Sequence, residues 1–190
     1  MNQNSVESVF IERWDDSVRF VRAFHDFEDR VIKAFEGEAA AIVKAWLAER
    51  GYEMGLNGRY ADYYAFRRGW CKADGEPAAK LCVGGLYPPG LDKVTCPAPY
   101  LWVYVRLDQP VRGEVAKRLW DSLAPDSNWQ DPEVNERGPL GRYLREATDS
   151  RMALIQDPKG MANFVIGQFP TLMALEENIT AALRDSGAVS

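Results

Sequence analysis

A base for hydrolytic catalysis is most often a histidine, and this chain has one, His25. It stands between Phe24 and Phe27, with Glu28 and Asp29 one helical turn on, where a carboxylate can pair with it. No G-x-S-x-G elbow or comparable signature supplies a serine or cysteine for it to activate. His25 therefore reads as the edge of an apolar stripe, bonded to a neighbouring carboxylate or to water. The thiols are Cys71, Cys82 and Cys96, an odd count without C-x-x-C spacing. With His25 they would make four ligands of a type that suits zinc. Their dispersal reads instead as reduced, partly buried thiols, and no metal is expected. G-x-x-x-x-G-K-[ST] and G-x-G-x-x-G are both missing, so no cofactor is expected. Carboxylates gather at Asp15 and Asp16, at Asp26, Glu28 and Asp29, and at Glu176 and Glu177. Each group lies beside an apolar stripe and reads as a solvated helix face. No catalytic residue is assigned.

The sharper signal is a basic, aromatic stretch. Residues 59–72 hold four bases (Arg59, Arg67, Arg68, Lys72) against one acid, Asp62, a local charge of +3 in a chain of net charge −5, so the remainder carries −8. As a strand, Tyr63–Trp70 would turn Tyr64, Phe66, Arg68 and Trp70 to one face, with Arg67 beside them. Alternation in Tyr100–Leu107 likewise separates Leu101, Val103, Val105 and Leu107 from Tyr100, Trp102, Tyr104 and Arg106. With the aliphatic face turned inward onto helices, the two aromatic–arginine faces would coincide. Aromatics give large contact area at low entropy cost, and arginine offers a fork for carboxylate or phosphate. Tyr64, Phe66, Arg67, Arg68, Trp70, Trp102, Tyr104 and Arg106 are therefore the expected partner-binding residues. The alternative is a covered face, with the C-terminal helix or the hairpin making it a second core layer and the arginines reaching the rim.

These residues need a scaffold, and its elements are partly legible. Met1–Trp14 has apolar residues without a period and reads as a short strand or a docked arm. From Asp16, Phe20, Phe24, Phe27, Val31 and Phe35 recur at helical steps behind the capping acids Asp15 and Asp16. Gly37 marks a break, a second helix runs through Ala39, Ile42, Val43, Trp46 and Leu47, and Gly51 stops it. Strands are expected over Tyr63–Trp70, Lys80–Tyr87 and Tyr100–Leu107, with Gly84-Gly85 as a bulge or close backbone contact. A helix opens at Asp108 and Pro110, with Val115, Leu119, Trp120 and Leu123 on one side. Pro125–Gly138 reads as a surface loop anchored by Trp129, and Leu140–Ala147 as a short helix. Arg151–Ile155 and Asn163–Gly167 read as a hairpin about Asp157-Pro158-Lys159-Gly160. Pro170–Arg184 closes the chain as an amphipathic helix. With no repeat or linker, the expected fold is a single α+β domain over residues 1–190. Its antiparallel or mixed sheet has about five strands, packed by N-terminal and C-terminal helices.

In element order alone, a helix, three strands, a helix and a further strand, about half of the chain resembles the restriction-endonuclease-like nuclease core. That family needs an acid near its second core strand and a Glu/Asp-x-Lys pair on the third to hold Mg²⁺ and steady water. The second strand here, Lys80-Leu-Cys-Val-Gly-Gly-Leu-Tyr87, has no acid. The third, Tyr100-Leu-Trp-Val-Tyr-Val-Arg106, is aromatic where Glu-x-Lys belongs, and Glu114-Val-Ala-Lys117 has the wrong spacing on a helix. The resemblance thus implies a core without metal-dependent cleavage.

At 190 residues, 46% hydrophobic and 27% charged, the chain has globular rather than disordered proportions. Its opening, Met1-Asn2-Gln3-Asn4-Ser5, shows no basic and apolar signal pattern. No apolar run approaches the roughly 20 residues that cross a bilayer. A cytoplasmic protein without membrane contact is expected, and the sequon Asn178-Ile179-Thr180 falls in a helix. An acidic, aromatic-rich chain without a catalytic constellation points to a non-enzymatic binding factor of inhibitor, immunity or phage anti-defence type. Its expected partner is a protein, basic or nucleic-acid-binding by charge complementarity. The alternative is a nucleic-acid-binding module with a nuclease-like, inactive core. There Arg67, Arg68 and Arg106 would meet phosphate while Trp70 and Trp102 stack on bases.

Overall fold

Five antiparallel strands in simple neighbour order, β1-β2-β3-β4-β5, make one sheet, and the helices pack it into an α+β fold. The computed structural model describes residues 3–58, 61–87, 98–123, 129, 140–145, 151–154 and 156–189. The strands are β1 (Glu53–Asn57), β2 (Asp62–Phe66), β3 (Ala79–Gly84), β4 (Tyr100–Val105) and β5 (Leu140–Tyr143). Register follows the inward alternation. Tyr63 pairs with Val83 and Val83 with Leu101, while Ala65 pairs with Leu81, Leu81 with Val103, and Val103 with Leu140. Each of these side chains is buried. A one-residue slip would turn the whole set outward, so burial of one face fixes the register.

The helical layer covers that inward face. Helix α2 (Trp14–Ala34) runs without a stop into a π-helical turn, Phe35–Ala39, and then into α3 (Ala40–Ala48). Gly37, expected to break the helix, sits inside that turn. Gly51 does end α3, at φ +74°, and the Tyr52 N–H closes back on Leu47 O at 3.0 Å. Val31, Phe35, Val43 and Leu47 enter the core beside Val115 and Leu119 of α4 (Val111–Leu123). Met161, Val165 and Phe169 of α6 (Pro158–Met173) and Ile179 and Leu183 of α7 (Glu176–Asp185) join them. The Tyr63 hydroxyl donates to Phe35 O at 3.0 Å, so the buried phenol is satisfied.

Several elements depart from the sequence expectations for identifiable reasons. Gln3–Glu12 forms a helix, α1, where a short strand or a docked arm is expected. The expected hairpin over 151–167 is helical: α5 (Arg151–Leu154), then α6, which Asp157 caps by accepting the Lys159 N–H at 3.0 Å. Asp-Pro serves there as N-cap and first helical residue instead of as a turn. Leu140–Tyr143 is a strand, not the start of a helix, and pairs with β4. Strand β2 ends at Phe66, and a 3-10 turn, Arg68–Trp70, replaces its expected continuation. Of the expected loop over 125–138, only its anchor Trp129 is described. It packs partly buried against the core, with the Arg142 guanidinium 5.5 Å from its ring. Among the described residues no helix is long and apolar enough to cross a membrane.

Candidate functional site

The opposite face of the sheet carries aromatic side chains, and the main core holds no residue of its central rows. Across the strands one row reads Tyr64, Cys82, Trp102, Gly141 and the next Asp62, Gly84, Tyr100, Tyr143, while Phe66, Lys80 and Tyr104 make a third. Trp102 lies between Tyr100 (4.9 Å between centroids) and Tyr104 (5.5 Å), and Tyr104 meets Tyr64 edge-on at 5.8 Å. Tyr143 closes the array against Tyr100 at 6.3 Å. Two glycines allow the rings to lie on the sheet. A Cβ on Gly84 would stand 2.6 Å from the Tyr100 ring, and one on Gly141 would stand 2.9 Å from Trp102 Cγ. Tyr64, Phe66, Trp102, Tyr104 and Tyr143 remain half-buried.

Beneath this layer sits the only buried charged residue among those described, Asp62, at 1% exposure. Its carboxylate accepts from the Tyr100 hydroxyl at 2.7 Å, the Tyr64 hydroxyl at 2.9 Å and the Gly85 N–H at 3.3 Å. Burial pushes the Asp62 carboxyl above its ordinary range, and these three donors hold it partly back. The same burial drives the Tyr100, Tyr104 and Tyr64 phenols far up, with the nearby Asp62 charge adding to it, so all three stay neutral. Near the Tyr104 end the charge is positive. Lys80 lies 5.6 Å from the Tyr64 ring centroid. Its pKa is lowered first by burial and then by the Arg106 cation. Neither Lys80 nor Arg106 has a salt bridge among the described residues.

The eight expected contact residues divide. Tyr64, Phe66, Trp102 and Tyr104 share the aromatic face, although Phe66 also touches the core. Arg106 is exposed just past β4, and Arg68 is exposed at the sheet edge, where it pairs with Glu53. Trp70 and Arg67 leave this group. The turn after Phe66 swings Trp70 into the core at 1% exposure, and its indole N–H donates to Thr180 Oγ1 of α7 at 2.9 Å. Arg67 donates to Glu176 at 2.8 Å and to Arg50 O at 2.6 Å, with its guanidinium 4.0 Å from the Tyr52 ring. The Tyr52 hydroxyl donates to the same Glu176 carboxylate. Arg67 and Trp70 thus fasten α7 to the sheet end, the covering role foreseen for the last helix, but against the core side. Sequence reasoning left Asp62, Lys80, Tyr100 and Tyr143 out of the contact set. The lone acid in a basic stretch was the available signal for Asp62. Tyr143 has none, because the sequence of its segment has the pattern of a short helix.

As a chemical site the face is limited. Asp62 is sealed and its oxygens are already engaged, so it shapes the rings above it rather than meeting a substrate. Cys82 is buried in the middle row and Cys71 lies outside it, while Cys96 falls outside the described residues. No three His, Cys, Asp or Glu side chains among the described residues come close enough to hold a metal. His25 is an exposed surface residue of α2, 3.4 Å from Glu28. Comparison with protein-family models, with curated proteins and with solved structures finds no match to this chain.

Proposed function

We propose that this chain is a non-enzymatic binding factor whose aromatic sheet face docks onto a protein partner and occludes it, in the manner of an inhibitor, immunity or anti-defence protein. One observation carries the reading. The described helices that pack on the sheet do so on its aliphatic side, leaving Tyr64, Trp102 and Tyr104 half-buried on the other. Side chains of this type dominate the energetics of interfaces, where rigid rings desolvate at low entropy cost. The array is preorganised by Asp62 below it and by the close approach at Gly84 and Gly141, so little ordering is left for binding to impose. The net charge of −5 favours approach to a basic protein. Lys80 and Arg106 add a local demand: the docked patch presents apolar surface to the rings and an acidic side chain to this cationic corner.

The experiment is affinity capture from native lysate with the full chain and with a Trp102→Ala, Tyr104→Ala variant of unchanged circular dichroism. A stoichiometric protein held by the parent chain and lost by the variant supports the reading, and equal capture by both removes it. Lys80 and Arg106 beside clustered rings favour a second reading, single-stranded nucleic acid lying on the same face. Electrophoretic shift with short single strands tests it. Binding that weakens steeply with salt supports it, and no shift at low salt excludes it.

A further inference from the structure

Strand β1 is an edge of the sheet, and β2 pairs all five of its residues without a bulge. Two backbone bonds fix which way its polar groups point. The Leu144 N–H donates to Pro99 O at 2.7 Å and the Arg106 N–H to Ala78 O at 2.7 Å. Bonded and non-bonded pairs alternate along an antiparallel ladder. Followed through the registers in steps of two, these bonds turn Glu53, Gly55 and Asn57 towards β2 and Met54 and Leu56 away from it. The N–H and C=O groups of Met54 and Leu56 thus point off the edge, and no described residue bonds to them. Leu56 carries its side chain to the helical side, opposite Tyr63, and is still 37% exposed. Edge strands are ordinarily blunted by lysine, proline, a bulge or a covering element. Glu53–Asn57 has no lysine, proline or bulge.

We infer that β1 pairs antiparallel with β1 of a second copy of this chain, joining the two sheets into one. The strand is complementary to itself. With Gly55 on the two-fold axis, Met54 stands opposite Leu56 of the second copy and Glu53 opposite its Asn57, each twice by symmetry. Both Met54–Leu56 pairs are of the bonded kind, so every outward N–H and C=O of the two strands finds a partner. Apolar side chains meet across the join on the helical side, a carboxylate meets an amide on the other, and no like charges are opposed. Sliding the register by two residues in either direction leaves Met54 or Leu56 facing itself and the far end of each strand unpaired. Gly55 belongs to the row of Tyr64, Cys82 and Trp102. The ring-bearing sides of the two copies therefore become one continuous surface, with the two Tyr64 backbones about 14 Å apart across three strand spacings.

Sedimentation of the full chain across micromolar concentrations tests this, and a dimer is expected. Leu56→Pro deletes an outward N–H and sets a ring in its place while sparing the bonds to β2. Two symmetric hydrogen bonds are lost, so dimerisation is expected to weaken by about tenfold or more. Leu56→Lys, which an exposed position tolerates in the monomer, is expected to do the same, and both variants should keep the circular dichroism of the parent chain. Gly55→Cys reads the register. A Cβ there meets nothing nearer than 3.9 Å within the chain, and the Cα atoms of a non-bonded pair lie about 4.5 Å apart, within reach of a disulfide. Mild oxidation should link Gly55→Cys chains into covalent dimers where the parent chain's own thiols do not. A parent chain that stays monomeric, a dimer that survives both Leu56 variants, or one whose Gly55→Cys chains stay unlinked overturns the inference.

Discussion

Removing the Tyr100 hydroxyl is the most informative single-atom change. Tyr100→Phe keeps the ring over Gly84 and next to Trp102, and deletes only the donor 2.7 Å from Asp62 Oδ1. A hydrogen bond to a charged group contributes about 1.5–3 kcal/mol, and the loss falls on a buried carboxylate left with the Tyr64 hydroxyl and the Gly85 N–H. For a chain of this size that corresponds to a fall in Tm of roughly 3–12 °C. The sign with pH follows from Asp62, whose folded pKa is raised above its unfolded value by burial. Below the unfolded value both states hold the proton. As pH climbs through the folded value, the fold loses the stability that the retained proton gave it. Asp62→Asn has no such proton to lose, so its stability relative to the parent chain should rise between pH 4 and pH 7. In that neutral background Tyr100→Phe should cost only about 0.5–1.5 kcal/mol. Urea denaturation of the four chains at both pH values closes the double-mutant cycle. A cost for Tyr100→Phe that is below about 0.5 kcal/mol, or the same with Asp and Asn at position 62, would refute the argument that a buried charge organises the aromatic face.

Two further outcomes concern the fastening of α7. Glu176 is held below its usual carboxylate range, first by the Arg67 hydrogen bond, so its contribution is present above the unfolded pKa and is lost as pH falls through the folded one. Glu176→Gln should therefore cost about 1 kcal/mol at pH 7, since the pair is partly exposed. The cost should shrink as pH falls from 7 towards 3, as thermal melts at the two pH values would show. Trp70→Ala empties a fully buried indole site and removes the N–H that Thr180 Oγ1 of α7 accepts, leaving that hydroxyl only its bond to Glu176 O, for a loss of about 3–5 kcal/mol. Hydrogen exchange should then show α7 opening before the sheet.

The strand that announced itself most clearly in the sequence, Tyr100–Val105, is also the one that sorts the two faces, because every second residue is aliphatic over six positions. Fold class followed from strands clustered at short spacing. What stayed hidden was set by context. Glu53–Asn57 carries Gly55 and no β-branched residue, so β1 exists only because β2 offers it a ladder. Trp70 lies four residues past the end of β2, along an alternation that a 3-10 turn interrupts. Asp157-Pro158 reads equally well as turn or as helix start, and only the neighbouring Met161, Val165 and Phe169, all buried on one side of α6, decide for the helix. The phenylalanine stripe from Phe20 to Phe35 was correctly helical. Periodicity, however, cannot say where along a stripe the core ends.

Hydroxyl-radical labelling of the purified full chain, read by mass spectrometry at single residues, measures most directly whether the ring-bearing side of the sheet is available. Trp102 and Tyr104 should be modified well above Trp70 and Tyr63, which are sealed in the core. Labelling of Trp102 and Tyr104 as low as that of Trp70 and Tyr63 would contradict the account, because a covered face could not receive a partner.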